Sequence, residues 1–410
     1  MKVNENLRKD VDSVVSKLVL DINPYERTKQ CLASLSFNDG KRILVSIGKA
    51  AWSMAKAVCD NTQIDLGAVI TKYGHSKGDL KNTKVFEAGH PITDENSIKA
   101  SEYVLDITSD LNDNDEVILC ISGGGSALFE KPLIPLEELQ DINNQLIKSG
   151  ADINEINIIR KRLSTVKAGR FALHCGKAHI NAIILSDVIG NDLSSIASGP
   201  VSIDNVDSIK AIEIVNKYHI KMSEDTLALL YKETPKDISN VDTYIISSVE
   251  QLCIDTKNAL EKLGYNAEII QNNCKDNVLD IAKRFSQIKV QENSAYIIGG
   301  ESVVEVKGDG LGGRNTHLAL LCAKNIKDSN TCVFTFGSDG TDGPTDAAGG
   351  YVDCSTCNKI DVDKYIENCD AYHGLESAGG LIKTGPTGSN VNDVYVMLHR
   401  YERLWKSVIH

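Results

Sequence analysis

The sequence lacks both a long apolar segment and an excess of positive charge. No apolar run approaches the roughly 18 residues of a membrane-spanning helix, and residues 1–10 are polar and charged, without the apolar core of a signal peptide. Acidic side chains outnumber basic ones by 56 to 44, which gives a net charge of −12. This charge disfavours nucleic acid and membranes as partners. We therefore expect a cytoplasmic protein, in which a local basic pocket for a small anion remains possible.

Cysteine pairs that would hold a metal are also scarce. Many of the 11 cysteines lie in apolar runs, as Cys120 and Cys322 do, which is typical of buried, reduced thiols. Cys354 and Cys357 form the only Cys-x-x-Cys pair, and a tetrahedral zinc site would require two further ligands nearby. We expect ordinary thiols here.

Strand-like apolar runs alternate with amphipathic helical stretches along most of the chain. The clearest runs lie at residues 42–47, 66–71, 85–88, 117–121 and 182–186. This βαβ rhythm predicts an α/β fold with a mostly parallel sheet covered by helices on both faces. Since 410 residues exceed what one hydrophobic core usually serves, we expect two domains, with the transition between residues 203 and 294.

Glycine, lysine and carboxylate side chains follow the predicted strands. Ligands of parallel sheets bind beyond the carboxyl ends of the strands. The strand ends are Gly48-Lys49, Ser122-Gly-Gly-Gly-Ser126, Ser186-Asp187, Gly299-Gly-Glu301 and Gly337-Ser-Asp339. They predict one site assembled from distant parts of the sequence.

The loop after the fourth run has the composition of a phosphate-binding loop. Its amides can form a concave nest and its two hydroxyls can donate hydrogen bonds. The residues expected to bind phosphate are Ser122, Gly123, Gly124, Gly125 and Ser126. It is not a Walker A loop, because no Gly-Lys-Ser/Thr follows. A glycine-rich turn can also be purely architectural, and both interpretations stay open.

Two charged residues at other strand ends suit phosphate chemistry. Lys49 begins a predicted helix after a strand-end glycine and can contact a phosphate as a point charge, unless it is an ordinary solvated lysine. Asp187 lies in a turn with Asn191 and Asp192, where it can hold Mg²⁺ or act as a base toward a hydroxyl. Asp and Asn also stabilise turns by local hydrogen bonds.

The segment from Gly299 to His317 predicts an anion site. It consists of a glycine turn, a second alternating strand at residues 303–306, a glycine loop and a helix that begins at Arg314. A helix N-terminus favours anions, and arginine offers two parallel donors to a phosphate or carboxylate.

The same segment contains Gly308, Gly310 and Gly313, which match the Gly-x-Gly-x-x-Gly pattern of dinucleotide-binding turns. The acidic ribose partner expected roughly 20 residues further on has no clean candidate.

Two polar loops follow toward the C-terminus. Residues 337–346 contain Asp339, Asp342 and Asp346, which lack the spacing and terminal Glu of an EF-hand and better suit a magnesium–nucleotide complex or a polyol. Residues 384–393 are rich in hydroxyl and amide groups. The alternative interpretation is that both loops are ordinary polar turns that bind no ligand.

Basic residues cluster between Arg160 and Arg170. On one continuous helix, Arg160, Lys167 and Arg170 would share a face. This face predicts either contact with an anionic ligand or, as is usual for such faces, exposure to solvent.

In combination these motifs resemble the class II glycerate kinases, the glycerate 2-kinase family with a C-terminal MOFRL domain. In the first half of the chain the matching segments are Ser46-Ile-Gly-Lys-Ala-Ala51, Thr71-Lys-Tyr-Gly-His75, Ala88-Gly-His-Pro91, residues 121–128, Glu155-Ile-Asn157 with Arg160-Lys161, Ser186-Asp-Val188 and Ala197-Ser-Gly-Pro200. In the second half they are Gly299-Gly-Glu-Ser302, Gly312-Gly-Arg-Asn315, Asp339-Gly-Thr-Asp-Gly343, Asp346-Ala-Ala348, Thr384-Gly-Pro-Thr-Gly388 and Asn390-Val-Asn-Asp393.

The resemblance implies ATP-dependent phosphorylation of D-glycerate to 2-phospho-D-glycerate with Mg²⁺. It implies a Rossmann-like N-terminal α/β domain, placed at residues 1–235, and a smaller α/β domain at 236–410 whose MOFRL region spans about 295–405, with the active site in the cleft between them. It also places the catalytic lysine and arginine at Lys49 and Arg314. The expected partners are glycerate and ATP, and a homodimer is the assembly considered.

We assign further roles on the same basis. Asp187 is the expected base or Mg²⁺ ligand. Residues expected to bind substrate or phosphate, besides the loop 122–126, are Arg160, Asn191, Glu301 and Asn315. Residues expected to orient the nucleotide or its metal are Asp192, Asp339, Asp342, Thr387 and Asn390.

The chain departs from the family near the expected site. The family commonly has Gln-Glu where this chain has Thr316-His317, and Asp-Val-Pro-Gly-Asp-Asp where this chain has Asp187-Val-Ile-Gly-Asn-Asp192. Two alternatives remain: an NAD(P)H-dependent hydroxypyruvate reductase, favoured only by the glycine pattern at 308–313, and a non-catalytic protein that binds a phosphorylated metabolite.

Overall fold

The computed structural model describes residues 2–326 and 330–400, with side chains from residue 6 onward. The chain divides into two compact units. The N-unit comprises Pro24–Ile246, and the C-unit combines the chain up to Asn23 with the chain from Ser247 onward. Among the described helices, none is long and apolar enough to cross a membrane.

The first helix, α1 (Lys2–Asp21), belongs to the C-unit. Its apolar side chains recur at helical spacing and are buried from Leu7 to Leu18. Asp10 on this helix also pairs with Arg400 near the other end of the described chain. The division therefore differs from the two continuous domains expected from the sequence, because α1 buries its apolar face within the C-unit.

The N-unit is built on a six-stranded sheet. Its strands are β1 (Arg42–Ile47), β2 (Leu66–Lys72), β3 (Thr83–Ala88), β4 (Glu116–Ile121), β5 (His179–Leu185) and β6 (Val241–Ser247). They lie in the order β3-β2-β1-β4-β5-β6, and the pairs β1–β2, β2–β3, β1–β4 and β4–β5 are parallel. This is the strand order of the doubly wound, Rossmann-like fold, which confirms the predicted fold class. The order reverses between β1 and β4, where such sheets bind ligands.

Helices connect these strands. They are α2 (Pro24–Leu32), α3 (Ala51–Asn61), α4 (Glu95–Ile107), α5 (Gly125–Leu128), α6 (Leu136–Lys148), α7 (Ile153–Arg162), α8 (Arg170–His174), α9 (Ser208–Tyr218) and α10 (Glu224–Leu230), with a 3-10 turn at Ile196–Ser198. Successive residues of β1 and β4 are buried, so both faces of the sheet are covered, as continuous apolar strands predict.

The predicted basic helix face at residues 160–170 is wrong. Helix α7 ends at Arg162, because Thr165 then donates its amide hydrogen to the carbonyl oxygen of Lys131 at 2.8 Å and the chain turns away. Arg162 and Lys167 are fully buried. The Lys167 ammonium lies 2.9 Å from the carboxylate of Glu130, which is buried as well. These cations hold chain segments together inside the N-unit and do not form a solvated surface.

The C-unit contains a second six-stranded sheet. Its strands are β7 (Asn266–Cys274), β8 (Ser294–Gly300), β9 (Thr331–Gly337), β10 (Gly349–Asp353), β11 (Leu381–Ile382) and β12 (Asp393–His399), in the order β11-β10-β9-β12-β8-β7. Strand β12 is antiparallel to both β8 and β9, so β8 and β9 run in the same direction. Asp393, the first residue of β12, is therefore paired with the strand-end glycines Gly300 and Gly337.

The C-unit helices after α1 are α11 (Val249–Lys262), α12 (Val278–Gln287), α13 (Arg314–Ala323), α14 (Thr356–Lys359), α15 (Val362–Glu367) and α16 (Ala371–Ala378). Helix α13 begins at Arg314, as predicted, and is buried from Asn315 to Ala323. It packs against β9, β10 and α12 and so lies in the centre of the C-unit core.

The second strand predicted at residues 303–306 is wrong. Val303 forms a single bridge with Asn277, and 55% of Val303 and 70% of Val306 are exposed. The ladder stops there because its partner segment turns into α12 at Val278. The alternating valines therefore belong to an exposed loop that leads to α13.

We predict that Lys167→Ala lowers the free energy of unfolding by about 3–5 kcal/mol, since it leaves the Glu130 carboxylate buried without its partner. Chemical denaturation followed by circular dichroism measures this loss. The control is Lys131→Ala, which removes an ion pair with Glu102 at the surface and should cost less than about 1 kcal/mol. Equal losses in the two variants would contradict a buried structural pair.

Candidate functional site

The glycine loop of the N-unit is tied to the beginning of α3. The hydroxyl of Ser122 donates to the carbonyl oxygen of Ile47 at 3.2 Å and accepts the amide hydrogen of Ala50 at 3.1 Å. The amide of Lys49 donates to the carbonyl oxygen of Gly123 at 2.9 Å. These bonds join the ends of β1 and β4 and place Lys49 at the point where the strand order reverses.

The glycines of this loop allow functional side chains to approach its backbone. A Cβ atom at Gly123 would lie 2.4 Å from Oδ2 of Asp187. Gly124 has φ +87°, and a Cβ atom there would lie 2.9 Å from the ring of His90. The structure thus brings Asp187, predicted from another strand end, against the loop.

Four cationic or titratable residues lie at the carboxyl ends of the neighbouring strands β1, β2 and β3, one as the last residue of β2 and three just beyond a strand. They are Lys49, Lys72, His75 and His90. Nδ1 of His75 lies 3.3 Å from the carbonyl oxygen of Lys49. Burial, followed by the charges of Lys49, Lys72 and His75, lowers the pKa of His90, so its ring is neutral at pH 7.

The Lys49 ammonium has neither a hydrogen bond nor an ion pair within the part of the chain that the structure describes. An unpaired ammonium beside a glycine loop attracts an anion. His75 and His90 were not predicted as site residues. The available signal was that they follow the second and third predicted strands, at the same edge of the sheet as the glycine loop.

Arg160 and Ser126 support the loop from its far end. The Arg160 guanidinium donates to the carbonyl oxygen of Ser126 at 3.2 Å, and the hydroxyls of Ser126 and Ser198 are 2.9 Å apart. Burial lowers the pKa of Arg160, with an opposing effect of Glu130. Arg160, which was predicted to bind substrate or phosphate, is therefore close to the loop, and its guanidinium contacts the loop backbone.

The turn after β5 contains the other predicted N-unit residues. Asn191 has a left-handed backbone with φ 54°. The Asp192 carboxylate accepts hydrogen bonds from the amide of Ser194 at 3.0 Å and from the hydroxyl of Ser195 at 2.6 Å. Burial raises the pKa of Asp192, but these hydrogen bonds outweigh it and hold the pKa below its usual value. Asp192 is thus engaged in stabilising its own turn.

In the C-unit, Arg314 is held by two carboxylates. Its Nε donates to Oδ2 of Asp393 at 2.6 Å, its Nη2 donates to Oδ1 of Asp393 at 3.4 Å, and its Nη1 donates to Oε1 of Glu301 at 2.9 Å. Burial lowers the pKa of Arg314, but the charge and hydrogen bonds of Asp393 and then the charge of Glu301 raise it well above its usual value. Burial raises the pKa of Asp393 to about 6 against the opposing effect of Arg314.

The N-terminus of α13 carries an internal anion. Oδ1 of Asp342 accepts the amide hydrogen of Asn315 at 2.9 Å, and Oδ2 accepts the amide and the hydroxyl of Thr316 at 2.7 Å each. The two helix amides predicted to face a ligand anion bind Asp342 instead. Arg314, not the helix terminus, is left to meet an external anion.

The glycine pattern at residues 308–313 serves chain packing. Cβ atoms at Gly308 and Gly310 would lie 2.4 and 2.5 Å from backbone atoms of Asn368. The amide of Gly310 donates to the carbonyl oxygen of Asn368 at 2.9 Å, and the amide of Leu311 donates to Asp370 at 2.9 Å. This contact explains Gly308 and Gly310, and a Cβ atom at Gly313 would lie 2.3 Å from Oδ1 of Asp342, so the pattern is explained without a dinucleotide.

The two polar loops predicted near the C-terminus lie side by side. The amide of Thr387 donates to the carbonyl oxygen of Asp339 at 3.2 Å, and the amide of Val391 donates to the hydroxyl of Ser338 at 2.7 Å. Asn390 accepts a weak hydrogen bond from the amide of Asn392 at 3.4 Å. Asp339, Thr387 and Asn390 therefore belong to one edge of the C-unit.

A cavity of about 520 Å³ opens at this edge. Its polar lining includes Arg314, Asn315, Asp339 and Thr341, and its apolar lining includes Val303, Val304, Val306 and Pro344. Thr316 and His317 are not among its lining residues. His317 instead borders a smaller cavity of about 200 Å³ together with Val278, Glu305 and Cys369.

Two family profiles match the chain: the domain of unknown function DUF4147 over residues 7–231 and the MOFRL family over residues 294–393. The chain is 43% identical to the D-glycerate 2-kinase of Thermotoga maritima, over 96% of this chain and 99% of that protein. It is 39% identical to the glycerate 2-kinase of Pyrococcus horikoshii, over 88% of this chain and 87% of that protein. A putative hydroxypyruvate reductase of Agrobacterium vitis is 32% identical, over 88% of this chain and 87% of that protein.

The crystal structure of the Thermotoga maritima glycerate kinase is similar to this fold. It superimposes with a TM-score of 0.93 at 42% identity and covers 96% of this chain and 100% of that chain. A Pyrococcus horikoshii crystal structure superimposes with a TM-score of 0.90 at 35% identity, covering 97% of this chain and 99% of that chain.

We predict that Asp342→Ala lowers the free energy of unfolding by about 2 kcal/mol or more, because the amides of Asn315 and Thr316 lose their acceptor inside the protein. Asp346→Ala, in the same loop, removes an exposed ion pair with Lys383 and should cost less than about 1 kcal/mol. Denaturant titration of both variants without ligand measures these changes in the free energy of unfolding. An unchanged stability of Asp342→Ala would show that this carboxylate does not stabilise α13.

Proposed function

This chain belongs to the glycerate 2-kinase family, and on that premise we propose that it transfers the γ-phosphoryl group of ATP to a hydroxyl of D-glycerate, forming 2-phospho-D-glycerate. Two glycerate 2-kinases from other organisms match 96% and 88% of this chain. The observation that carries the proposal is the Lys49 ammonium, which has no partner among the described residues and lies at the glycine loop, where the strand order reverses between β1 and β4.

Phosphoryl transfer depends mainly on positioning and on neutralising the charge of the transferred group. In the N-unit, the loop 122–126 offers backbone amides to a phosphate. Lys49, whose own amide is hydrogen-bonded to this loop, offers a positive charge. The Asp187 carboxylate, which lies against Gly123, is our candidate for the base that accepts the proton of the substrate hydroxyl. The neutral ring of His90 can donate or accept a hydrogen bond beside the same loop.

In the C-unit, we assign Arg314 to an anionic group of the substrate or nucleotide. Its guanidinium borders the cavity of about 520 Å³, which is large enough for a small ligand or part of a nucleotide. Asp339, Thr387 and Asn390 lie at the same edge, and we propose that they orient the nucleotide. Glu301 and Asn315 act next to Arg314, the first as its hydrogen-bond partner and the second as its neighbour on α13.

Mg²⁺ fits the residues of this site only if substrate phosphates complete its coordination. The described residues contain no group of three or more His, Cys, Asp or Glu side chains that would hold a metal ion by themselves. Mg²⁺ in kinases is usually bound by one or two carboxylates together with substrate phosphates. The alternative role of Asp187, in place of the base, is to hold this ion, and the bound ion would neutralise phosphate charge.

The glycine pattern at residues 308–313, which favoured a hydroxypyruvate reductase, has another explanation in the structure. Gly308 and Gly310 pack against Asn368 and Asp370, and Gly313 packs against Asp342, so these glycines need no nicotinamide cofactor to explain them. The name of one relative still makes this activity worth including in the assay.

The proposed activity predicts that the protein, ATP, Mg²⁺ and D-glycerate together produce ADP and 2-phosphoglycerate, identified by ³¹P NMR. Lys49→Met should lower kcat by about 10²-fold or more, as removal of a transition-state donor does. Lys56→Met is the matched control, because Lys56 pairs with Asp60 on the exposed side of α3 and should leave kcat unchanged. The proposal fails if no C3 or C4 hydroxy acid is phosphorylated, or if hydroxypyruvate consumes NADH without ATP.

The geometry of the loop gives a second prediction. Gly124→Ala should lower kcat/KM about tenfold or more, since its Cβ atom would displace His90 and approach Lys49. Gly150→Ala is the control: Gly150 also has a left-handed backbone, with φ +79°, but no atom lies within 4 Å of the added Cβ. Both variants carry a backbone strain of about 1–2 kcal/mol, so both should be less stable. If the two variants have the same kcat/KM, the geometry of the loop at Gly124 does not contribute to the reaction.

A further inference from the structure

Arg314 is held in place at both its backbone and its guanidinium. It is the first residue of α13, whose N-terminus is held by Asp342. Its Nε and Nη2 contact Asp393, which begins the central antiparallel strand β12. An arginine side chain has about 2 kcal/mol of rotamer entropy, so a free guanidinium would have to be ordered in each catalytic cycle.

Asp393 is itself held rigidly. Its backbone pairs with Gly300 on one side and Gly337 on the other, so β12 cannot shift at this residue without breaking two ladders. The hydroxyl of Tyr395 lies 3.1 Å from Oδ2 of Asp393 and 2.9 Å from Oγ of Ser302. Asp393 and Tyr395 are both buried.

Glu301 is a different kind of partner. It contacts only Nη1 of Arg314, and its side chain is half exposed, whereas Asp393 binds two nitrogens and is buried. Three of the five N–H groups of arginine are engaged by these carboxylates, and two remain for a ligand. The two that remain are one N–H on Nη1 and one on Nη2, and Asp393 fixes the plane in which they point because it binds both Nε and Nη2.

We propose that Asp393 is a positioning residue of the kinase reaction: the Tyr395-supported carboxylate fixes Arg314 so that its two remaining N–H groups are presented to an anionic group of the substrate or nucleotide. This inference rests on the proposed function for its effect on turnover. Pre-organised donors accelerate a reaction because they need no reorientation in the transition state. The effect of Asp393 is therefore expected in kcat and through Arg314 alone.

The first test is a double-mutant cycle on the full chain. Asp393→Asn, which preserves the shape of the side chain, should lower kcat about 10²-fold, as a displaced catalytic group does, with a much smaller change in KM. In an Arg314→Met background, Asp393→Asn should cause no further loss, since the two residues act as one unit. Tyr395→Phe should cause a smaller loss with the same dependence on Arg314, and Glu301→Gln a smaller loss than Asp393→Asn. Additive losses of Asp393→Asn and Arg314→Met would overturn the proposal.

The second test does not require turnover. In ¹⁵N-arginine-labelled protein, the Nε–H signal of Arg314, assigned by its loss in Arg314→Lys, should exchange slowly with water and should lose this protection in Asp393→Asn. If the signal is unchanged in Asp393→Asn, Asp393 does not position Arg314. If the protection is lost but the wild-type protein phosphorylates no glycerate, the positioning is supported and the proposed function is the part that fails.

Discussion

The carboxylate of Asp342 at the beginning of α13 is the interaction on which the polar edge of the C-unit depends. It accepts two helix amides and one hydroxyl, and it compensates the positive end of the helix dipole. Because the start of α13 is fixed, the backbone of Arg314 is fixed too, and the buried Asp393 can bind its guanidinium from the neighbouring strand. An anionic ligand of this unit therefore meets a side chain whose position is set before binding.

The N-unit arranges its charges by a different physical route. Here the parallel strands β1, β2 and β3 end at one edge, and each contributes a lysine or histidine after its last residue. The glycines after β4 leave room for Asp187 and His90. In the C-unit the glycines at 308 and 310 leave room for the backbone of Asn368 instead. Two glycine-rich loops of similar composition thus have different purposes, which only their neighbours reveal.

Sequence patterns were reliable where local residues decide the structure. The apolar runs that became β1, β2 and β4 are buried on both faces, so their composition alone marks them. The strand predicted at residues 303–306 failed because its partner segment turns into α12, which no local pattern shows.

Residues whose roles depend on distant segments were harder to identify. Asp393 closes the matching segment Asn390-Val-Asn-Asp393 but was not predicted as a site residue, because its partner Arg314 lies 79 positions away along the sequence. Lys167 and Arg162 were misjudged because their carboxylate partners are distant along the sequence: Glu130 lies 37 positions from Lys167, and Glu233 lies 71 positions from Arg162.

Thr316 and His317, where the sequence analysis expects a departure from the family pattern, concern the helix more than the ligand. Thr316 is fully buried and donates its hydroxyl to Asp342, so it strengthens the interaction that holds α13. Burial lowers the pKa of His317, and its ring borders the smaller cavity, away from Arg314. Neither side chain lines the cavity that contains Arg314 and Asp339. A change in substrate choice would therefore have to act through the position of α13, whereas a direct change would require residues that line the larger cavity or the glycine loop.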